Sequence, residues 1–237
     1  MEIISDEGIV LRKKDYGDSD RLITIFSKNN GKISFYLKGI RKSKKRDKEA
    51  VELFSLSTFY FSKKQEKYIL NDFEILDYNL NLKLNMESLE IGYYLLSLID
   101  KILLENQKQE KLYILLKESL NFLDKKFSLK ESYLLILYFL YRIIVNEGIK
   151  FSIYGEKYFN IKDSVICNDK NNGVEITEKE YFLIKESIEN IRELKNKNME
   201  LKDILGVIRL YENYISYHLE VNLNFKNYFL EAHKWLT

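Results

Sequence analysis

The spacing of the apolar residues changes once along this chain of 237 residues, and the change limits the possible folds more than any other feature. Up to about residue 76, short runs of Ile, Val, Leu, Thr and Phe alternate with turn-like clusters, a pattern typical of β-strands. From about residue 85 the apolar residues recur at helical spacing. We therefore predict an α+β protein, with a β domain over residues 1–78 and a helical domain over residues 79–237.

Five strands are predicted in the β domain, over residues 8–13, 21–27, 32–38, 53–62 and 67–76. The turn KNNG (28–31) favours a hairpin, because Asn and Gly tolerate positive φ. In the third strand, apolar residues alternate with Lys32, Ser34, Tyr36 and Lys38, so we expect one buried face and one basic, aromatic face. A closed antiparallel barrel leaves no exposed strand edge, and five strands of this size suggest an OB-fold.

Two capping boxes mark helix starts in the second domain. Ser128 with Glu131, and Thr177 with Glu180, have the spacing at which a hydroxyl and a carboxylate bond first-turn amides reciprocally. The helix after Ser128 is apolar nearly all round, so we expect it at the centre of the domain. Residues 150–176 are predicted to be irregular, with short extended pieces. The predicted helices cover residues 89–103, 111–123, 129–145, 178–196 and 201–219.

Composition excludes several classes of protein. The chain has one cysteine, Cys167, and two histidines, His218 and His233, so neither an internal disulfide nor a Cys/His zinc set can form, and a reducing cytoplasm fits best. The amino terminus lacks the order of a signal peptide, and the longest apolar run is interrupted by Arg142 and is shorter than the ~20 residues of a membrane span. Catalytic and nucleotide-binding motifs are absent, so we predict no enzyme, no cofactor and no membrane association.

The segment KGIRKSKKRDK (38–48) concentrates positive charge. It holds seven cations and one acid, Asp47, for a net charge of +6, whereas the whole chain carries +2. A solvated loop is the ordinary interpretation of such a run. We favour a phosphate-binding loop, because a bound polyanion relieves the repulsion among the cations and the loop joins two strands of a predicted OB barrel. The predicted nucleic-acid-binding residues are Arg12, Lys14, Arg21, Tyr36, Lys38, Arg41, Lys42, Lys44, Lys45 and Arg46.

The turn between the first two predicted strands carries three acids, Asp15, Asp18 and Asp20. Their spacing is not that of a calcium-binding loop, so we interpret them as turn-capping carboxylates. Tyr16, in the same turn, could stack on a base. The chain has 18 tyrosines, however, and the sequence does not single out Tyr16 among them for this role.

Residues 7–46, EGIVLRKKDYGDSDRLITIFSKNNGKISFYLKGIRKSKKR, combine a strand, a Tyr-Gly-x-Ser-Asp-Arg-Leu turn, a Gly-Lys hairpin and a Lys-Gly-x-Arg basic loop. In this order and spacing they resemble the RecO family of bacterial recombination mediators. Residues 214–230, YISYHLEVNLNFKNYFL, are similar to the family's closing helix and tail. The resemblance follows the order of the two predicted domains over most of the chain.

The resemblance implies an amino-terminal OB-fold, a helical domain and no catalytic site. It also implies binding of single- and double-stranded DNA, annealing of complementary strands, cooperation with RecR, contact with the single-stranded DNA-binding protein SSB, and help in loading RecA, in the cytoplasm at the nucleoid. By position, DNA binding falls on Arg12, Lys14, Arg21, Lys38 and the five cations from Arg41 to Arg46.

The chain departs from the family pattern at a zinc module. Many relatives carry four cysteines in the helical domain, whereas the corresponding residues 155–176 contain only Cys167, so we expect no structural zinc. Without a metal, packing of side chains must hold this region together. The residues expected to do so are Tyr158, Phe159, Ile161, Val165 and Ile166.

Two alternative functions stay open at this point. An RNA-binding OB-fold protein would prefer RNA to DNA of the same sequence, because only RNA offers the 2′-hydroxyl. A non-catalytic protein-interaction scaffold would use the basic loop to bind an acidic partner, and any strand annealing would survive the loss of the loop charges.

Overall fold

The computed structural model of the protein describes residues 2–65, 67–125, 127–170, 173–189 and 199–223. By its internal contacts the chain forms two compact units, Met1–Lys125 and Lys126–Thr237. The predicted domain boundary at residue 78 lies where the fifth strand ends, and it stays a prediction. The family-like tail after residue 223, His233, and the predicted continuation of a helix from 190 to 196 lie outside the described residues.

The amino-terminal sheet consists of five antiparallel strands. They are β1 (Ile4–Tyr16), β2 (Asp20–Ser27), β3 (Gly31–Leu37), β4 (Leu56–Lys64) and β5 (Lys67–Asp77). Their order in the sheet, β3-β2-β1-β4-β5, confirms the predicted OB-fold. Strand β1 is longer than predicted, because its first half pairs with β4 (Ile4 opposite Phe61) and its second half with β2 (Tyr16 opposite Asp20). In the described part of the chain, β3 and β5 are not paired, so backbone hydrogen bonds do not close the barrel.

Aromatic side chains fill the interior between β3, β4 and β5. Phe35 of β3 packs on Phe59 and Phe61 of β4, with ring centroids 6.0 and 5.3 Å away. Tyr68 of β5 meets Phe61 edge-on, with the centroids 5.6 Å apart. Because pairs of this geometry add to the free energy gained by apolar burial, side-chain packing links β3 to β5 where strand pairing is missing.

Three helices complete the first unit: α1 (Leu80–Leu84), α2 (Met86–Ile102) and α3 (Glu110–Asp124). Tyr113 of α3 packs edge-on against Phe26 at 5.5 Å and donates its hydroxyl hydrogen to Glu7 Oε1 at 2.9 Å. Lys32 of β3 donates to the backbone oxygen of Asp100 in α2 at 2.6 Å. Both the phenol and the ammonium are thus hydrogen-bonded, so the helices cover the sheet without leaving either group unpaired.

The second unit contains α4 (Leu129–Asn146), α5 (Glu178–Glu189) and α6 (Leu201–Leu219). Both predicted capping boxes are present: Ser128 and Glu131 bond reciprocally before α4, and the Thr177 amide donates to Glu180 Oε2 at 2.8 Å before α5. As predicted, α4 is buried on most sides and packs against α6. None of the described helices combines the length and apolar character needed to cross a lipid bilayer.

Between α4 and α5 the chain forms a small sheet of short strands. They are β6 (Ser152–Ile153), β7 (Tyr158–Asn160), β8 (Val165–Cys167) and β9 (Val174–Glu175), in the order β6-β8-β7-β9. Phe159 and Ile166 are fully buried, as expected, whereas Tyr158, Ile161 and Val165 are only partly buried. The Phe159 ring stacks on Tyr214 of α6, with centroids 5.3 Å apart, and the Tyr214 hydroxyl donates to the backbone oxygen of Ile149 at 2.8 Å.

The donors near this small sheet do not fit a zinc ion. Cys167 is a free thiol whose Sγ donates to the backbone oxygen of Asp169 at 3.2 Å. Over the ranges that the structure describes, no three His, Cys, Asp or Glu side chains come close enough to share a metal. Structural zinc requires four such ligands. The described contacts that hold the region are strand pairing, aromatic packing on α6 and hydrogen bonds from Tyr214 and His218.

We predict that Cys167→Ser changes the free energy of unfolding by less than about 0.5 kcal/mol, because the thiol makes one weak hydrogen bond near the surface. The control, Phe159→Ala, removes a fully buried ring and should lower that free energy by about 3–5 kcal/mol. Urea denaturation with and without a chelator measures both effects. A lower unfolding midpoint after chelation of the native protein would contradict the prediction.

Gly31 occupies a position that only glycine fits. Its φ is +72°, and an added Cβ would collide with the main chain of Gln107. The close approach arises because Lys32 forms a bridge with Glu105, in which the Asn106 amide donates to the Lys32 backbone oxygen at 3.0 Å. Gly17 also has positive φ, at +51°, but an added Cβ there would meet nothing within 4 Å.

These two glycines form a matched pair for a stability test. Gly17→Ala should lower the free energy of unfolding by about 1 kcal/mol, the strain of a left-handed non-glycine residue. Gly31→Ala should cost a further ~1–3 kcal/mol, because the Gln107 main chain must move. Urea unfolding followed by circular dichroism gives both values, and equal losses would show that the approach to Gln107 is not tight.

Candidate nucleic-acid interface

Exposed residues of β1 and β3 form a basic and aromatic surface, as the alternation in β3 predicted for Tyr36. The prediction is wrong for Lys32, whose side chain is 15% exposed because its ammonium group binds Asp100 of α2. Lys38 is exposed but lies just after the end of β3.

The strand register places Lys14, Leu22 and Tyr36 in one row across the three strands. Tyr16, at the end of β1, lies beside Tyr36 with ring centroids 6.2 Å apart and a tilt of 58°. Lys14 Nζ is 5.3 Å from the centre of the Tyr16 ring, within the range of a cation–π contact. We call Lys14, Tyr16 and Tyr36 the tyrosine face.

The basic segment connects β3 to β4 and is anchored at both ends by buried apolar residues. Two short 3-10 turns, Ile40–Lys42 and Lys48–Val51, place Ile40, Ala50 and Val51 in the interior. The chain between these anchors runs over the surface, and its cationic side chains face solvent. We call residues 38–48 the basic loop.

Asp20 holds the start of the basic loop. Its Oδ1 accepts hydrogen bonds from the Gly39 amide and from Ser19 Oγ, both at 2.8 Å, and its Oδ2 accepts one from the Tyr36 hydroxyl at 2.5 Å. The bond from Tyr36 and then the bond from Gly39 contribute most to a pKa of about 2 for Asp20. The same carboxylate raises the pKa of Tyr36. Asp20 therefore fixes the Tyr36 ring and the first turn of the loop together.

Arg21 is bound by two carboxylates beneath the loop. Its Nε donates to Asp15 Oδ1 at 2.7 Å and its Nη1 to Glu52 Oε1 at 2.6 Å. Burial opposes the charge of Arg21, but these two partners outweigh it and raise the pKa of Arg21. The hydrogen bond from Arg21 is the main reason that the pKa of Asp15 is lowered. With 10% of its side chain exposed, Arg21 is committed to these acids.

Two further cations predicted to bind nucleic acid have partners within the first unit. Arg41 Nε lies 3.2 Å from Asp15 Oδ2, and Arg41 Nη1 donates to the backbone oxygen of Gly17 at 2.9 Å. Arg12 Nη1 lies 3.6 Å from Asp100 Oδ2, although 62% of the Arg12 side chain is exposed. Asp15 thus orients Arg41, and Asp100 partly neutralises Arg12.

The remaining six predicted cations are exposed, and none of them forms an ion pair with a carboxylate anywhere in the described ranges. These unpaired cations are Lys14, Lys38, Lys42, Lys44, Lys45 and Arg46. The predicted site residues thus divide into a set that is held by acids and a set that is free to meet an anion.

Sequence reasoning missed two parts of this surface. It did not single out the contact of Tyr16 with Tyr36, for which the only sequence signal was that each tyrosine lies two positions from a lysine, Lys14 and Lys38. It also interpreted Asp15 as a turn cap, whereas Asp15 binds the side chains of Arg21 and Arg41. Asp20 does cap the loop, through the Gly39 amide.

The fold and this surface define an OB-fold protein with a basic, aromatic outer face. Two family models match the chain: Recombination protein O N terminal over residues 1–79, and Recombination protein O C terminal over residues 84–226. The chain belongs to the RecO family.

Curated relatives agree with this assignment, and each is named DNA repair protein RecO. A relative from Caldanaerobacter subterraneus subsp. tengcongensis is 26% identical over 96% of this chain and 98% of its own length. A relative from Thermoanaerobacter sp. (strain X514) is 33% identical over 53% of this chain, and the match spans about half of that relative's length. One from Mycoplasma mycoides subsp. mycoides SC is 34% identical over 60% of this chain and 58% of its own length.

We predict that the Gly39 amide signal does not titrate between pH 5 and pH 3. An ordinary aspartate has a pKa near 3.8 and would report its protonation there, whereas Asp20, with a pKa of about 2, stays charged. Its interactions are therefore present above pH 4 and are lost only as the pH falls through about 2. Two-dimensional NMR measures this titration.

Asp20→Asn is the control for this titration, because an amide oxygen still accepts the Gly39 hydrogen bond but does not titrate in this range. Any shift of the Gly39 signal that remains in the variant then belongs to another group. A midpoint near pH 4 in the native protein, absent from the variant, would show that the hydrogen bonds to Asp20 are weak in solution.

Proposed function

We propose that the protein is a non-enzymatic mediator of DNA repair and recombination that binds single- and double-stranded DNA and anneals complementary strands. The observation that carries the proposal is the set of six exposed cations without carboxylate partners beside two exposed tyrosines on an OB-fold sheet. Membership of the RecO family, whose curated members are named DNA repair proteins, supports it.

The proposed mechanism of annealing is electrostatic. Cations that bind phosphates release condensed counterions, and neutralised strands repel each other less, so that base pairing can proceed. In this account the unpaired cations bind phosphates, and Arg21 acts from below by holding Asp15, which in turn orients Arg41. We assign Arg21 a positioning role and the unpaired cations the binding of DNA.

We also propose the family's partners for this chain. In that role it cooperates with RecR, contacts SSB on coated single strands, and helps RecA to replace SSB. This part of the proposal is supported by family membership and by the coverage of 96% of the chain in the comparison with the Caldanaerobacter relative.

We predict that changing the four unpaired cations between the two anchors of the basic loop to alanine abolishes annealing of complementary oligonucleotides coated with SSB. Arg41 is left in place because it is part of the folded ion-pair network. If three to five phosphates are bound, the logarithm of single-strand affinity should fall with the logarithm of salt at a slope of roughly −2 to −3.5. For every phosphate that the variant no longer binds, the slope should become shallower by about 0.7. The changed residues are Lys42, Lys44, Lys45 and Arg46.

The control is a variant with the same change in net charge in the second unit, at four exposed lysines for which the structure shows no ion pair among the described residues. These are Lys150, Lys162, Lys170 and Lys185. It should anneal like the native protein. Equal losses in both variants would mean that net charge matters and the loop does not. A native protein that binds RNA more tightly than DNA and anneals neither would support an RNA-binding protein instead.

A further inference from the structure

Tyr16 and Tyr36 present exposed rings on the outer face, and the binding of phosphates by cations does not require such rings. Tyr36 is 55% exposed and Tyr16 is 41% exposed, although both are large aromatic side chains on a structured sheet. Neither ring is part of the apolar interior, so packing in the core does not explain their positions. Their exposure next to unpaired lysines is the arrangement with which OB-folds receive bases.

Both rings are held in place before any ligand binds. The Tyr36 hydroxyl donates to Asp20, which is itself bonded to Ser19 and Gly39. Tyr16 contacts Tyr36 on one side and carries Lys14 Nζ within 5.3 Å of its ring centre. A fixed ring loses little conformational entropy when a planar base stacks on it, so this rigidity favours binding.

The spacing of the rings decides where a base can lie. A base inserted between two parallel rings needs roughly 7 Å between their centres, twice the ~3.4 Å rise of stacked bases. The centroids of Tyr16 and Tyr36 are 6.2 Å apart and the planes are tilted by 58°, so no base fits between them. A base can stack only on an outward face, and Tyr36 has the larger exposed area.

We propose that the Tyr16–Tyr36 pair is a base-stacking subsite that makes this surface prefer single strands to duplex. This rests on the proposed function, because it assumes that the basic loop binds the phosphates. Bases in a duplex are stacked on each other and present no free face, whereas bases in a single strand are available to an aromatic ring. The ligand class is therefore an unpaired base of any sequence, next to a phosphate on Lys14 or Lys38.

The test compares oligonucleotides with and without bases. The native protein and the double variant Tyr16→Leu/Tyr36→Leu are titrated with a 15-nucleotide single strand, with an abasic strand of the same length, and with the corresponding duplex. We expect the double variant to bind the normal strand roughly 5- to 100-fold more weakly, the equivalent of one stacked base, and to bind the abasic strand and the duplex unchanged within about twofold. A 2-aminopurine base in the strand should be quenched by the native protein only.

Tyr154→Leu is the matched control, because it removes a tyrosine that is 82% exposed and lies in the second unit, outside the proposed subsite. It should bind all three ligands like the native protein and retain the discrimination between the normal and abasic strands. Equal weakening of all three ligands by the double variant would overturn the proposal, since it would show a structural role, and unchanged binding of the normal strand would overturn it as well. A native protein that binds none of the ligands would overturn the proposed function itself.

Discussion

Carboxylates from a single turn allow a loop with seven cations to keep a defined conformation beside the sheet. Like charges about 4 Å apart repel by about 1 kcal/mol in water and by more near a protein surface. Repulsion among its cations therefore does not stabilise any one compact conformation of the loop. Asp20 binds the amide of Gly39 where the loop begins, and Asp15 binds the guanidinium of Arg41. Both acids lie at the turn between β1 and β2 and have lowered pKa values, so they remain charged at neutral pH.

Ion pairing with carboxylates distinguishes the cations that maintain the fold from the cations that can bind a ligand. Arg21 lies between Asp15 and Glu52, and removing it would leave the exposed Asp15 and the partly buried Glu52 without the cation that they share. Lys42 and Lys44 have no such partner among the residues that the structure describes, and removing them costs the fold little. Loss of DNA binding would therefore have different meanings at these positions, because a change at Arg21 alters the shape of the surface and a change at Lys42 alters only its charge.

Features with a local signal could be predicted from the sequence. The alternation in β3 and the capping boxes at Ser128 and Thr177 follow from residues within a few positions of one another. The full length of β1 could not be predicted, because its last residues are polar and its pairing depends on β2 and β4. Nor could the small sheet, whose strands of two or three residues are too short to show a period.

The candidate site shows the same division. A run of cations is visible in any sequence, so the basic loop could be found without a structure. The pairing of Arg21 with Glu52 joins residues 31 positions apart, and the contact of Tyr16 with Tyr36 crosses three strands. Such contacts depend on strand register, which no local pattern of residue types determines.

The proposed interactions with phosphates and with bases differ in what happens to them when two strands anneal. Phosphates remain exposed on a duplex, so the cations of the basic loop can bind the substrate strands and the product alike. Bases become stacked within the product and leave the tyrosine face. A surface with cations alone would hold the duplex at least as tightly as the strands, because the duplex has more charge per unit length. Stacking on Tyr16 and Tyr36 adds affinity only before pairing, and so favours release of the annealed product.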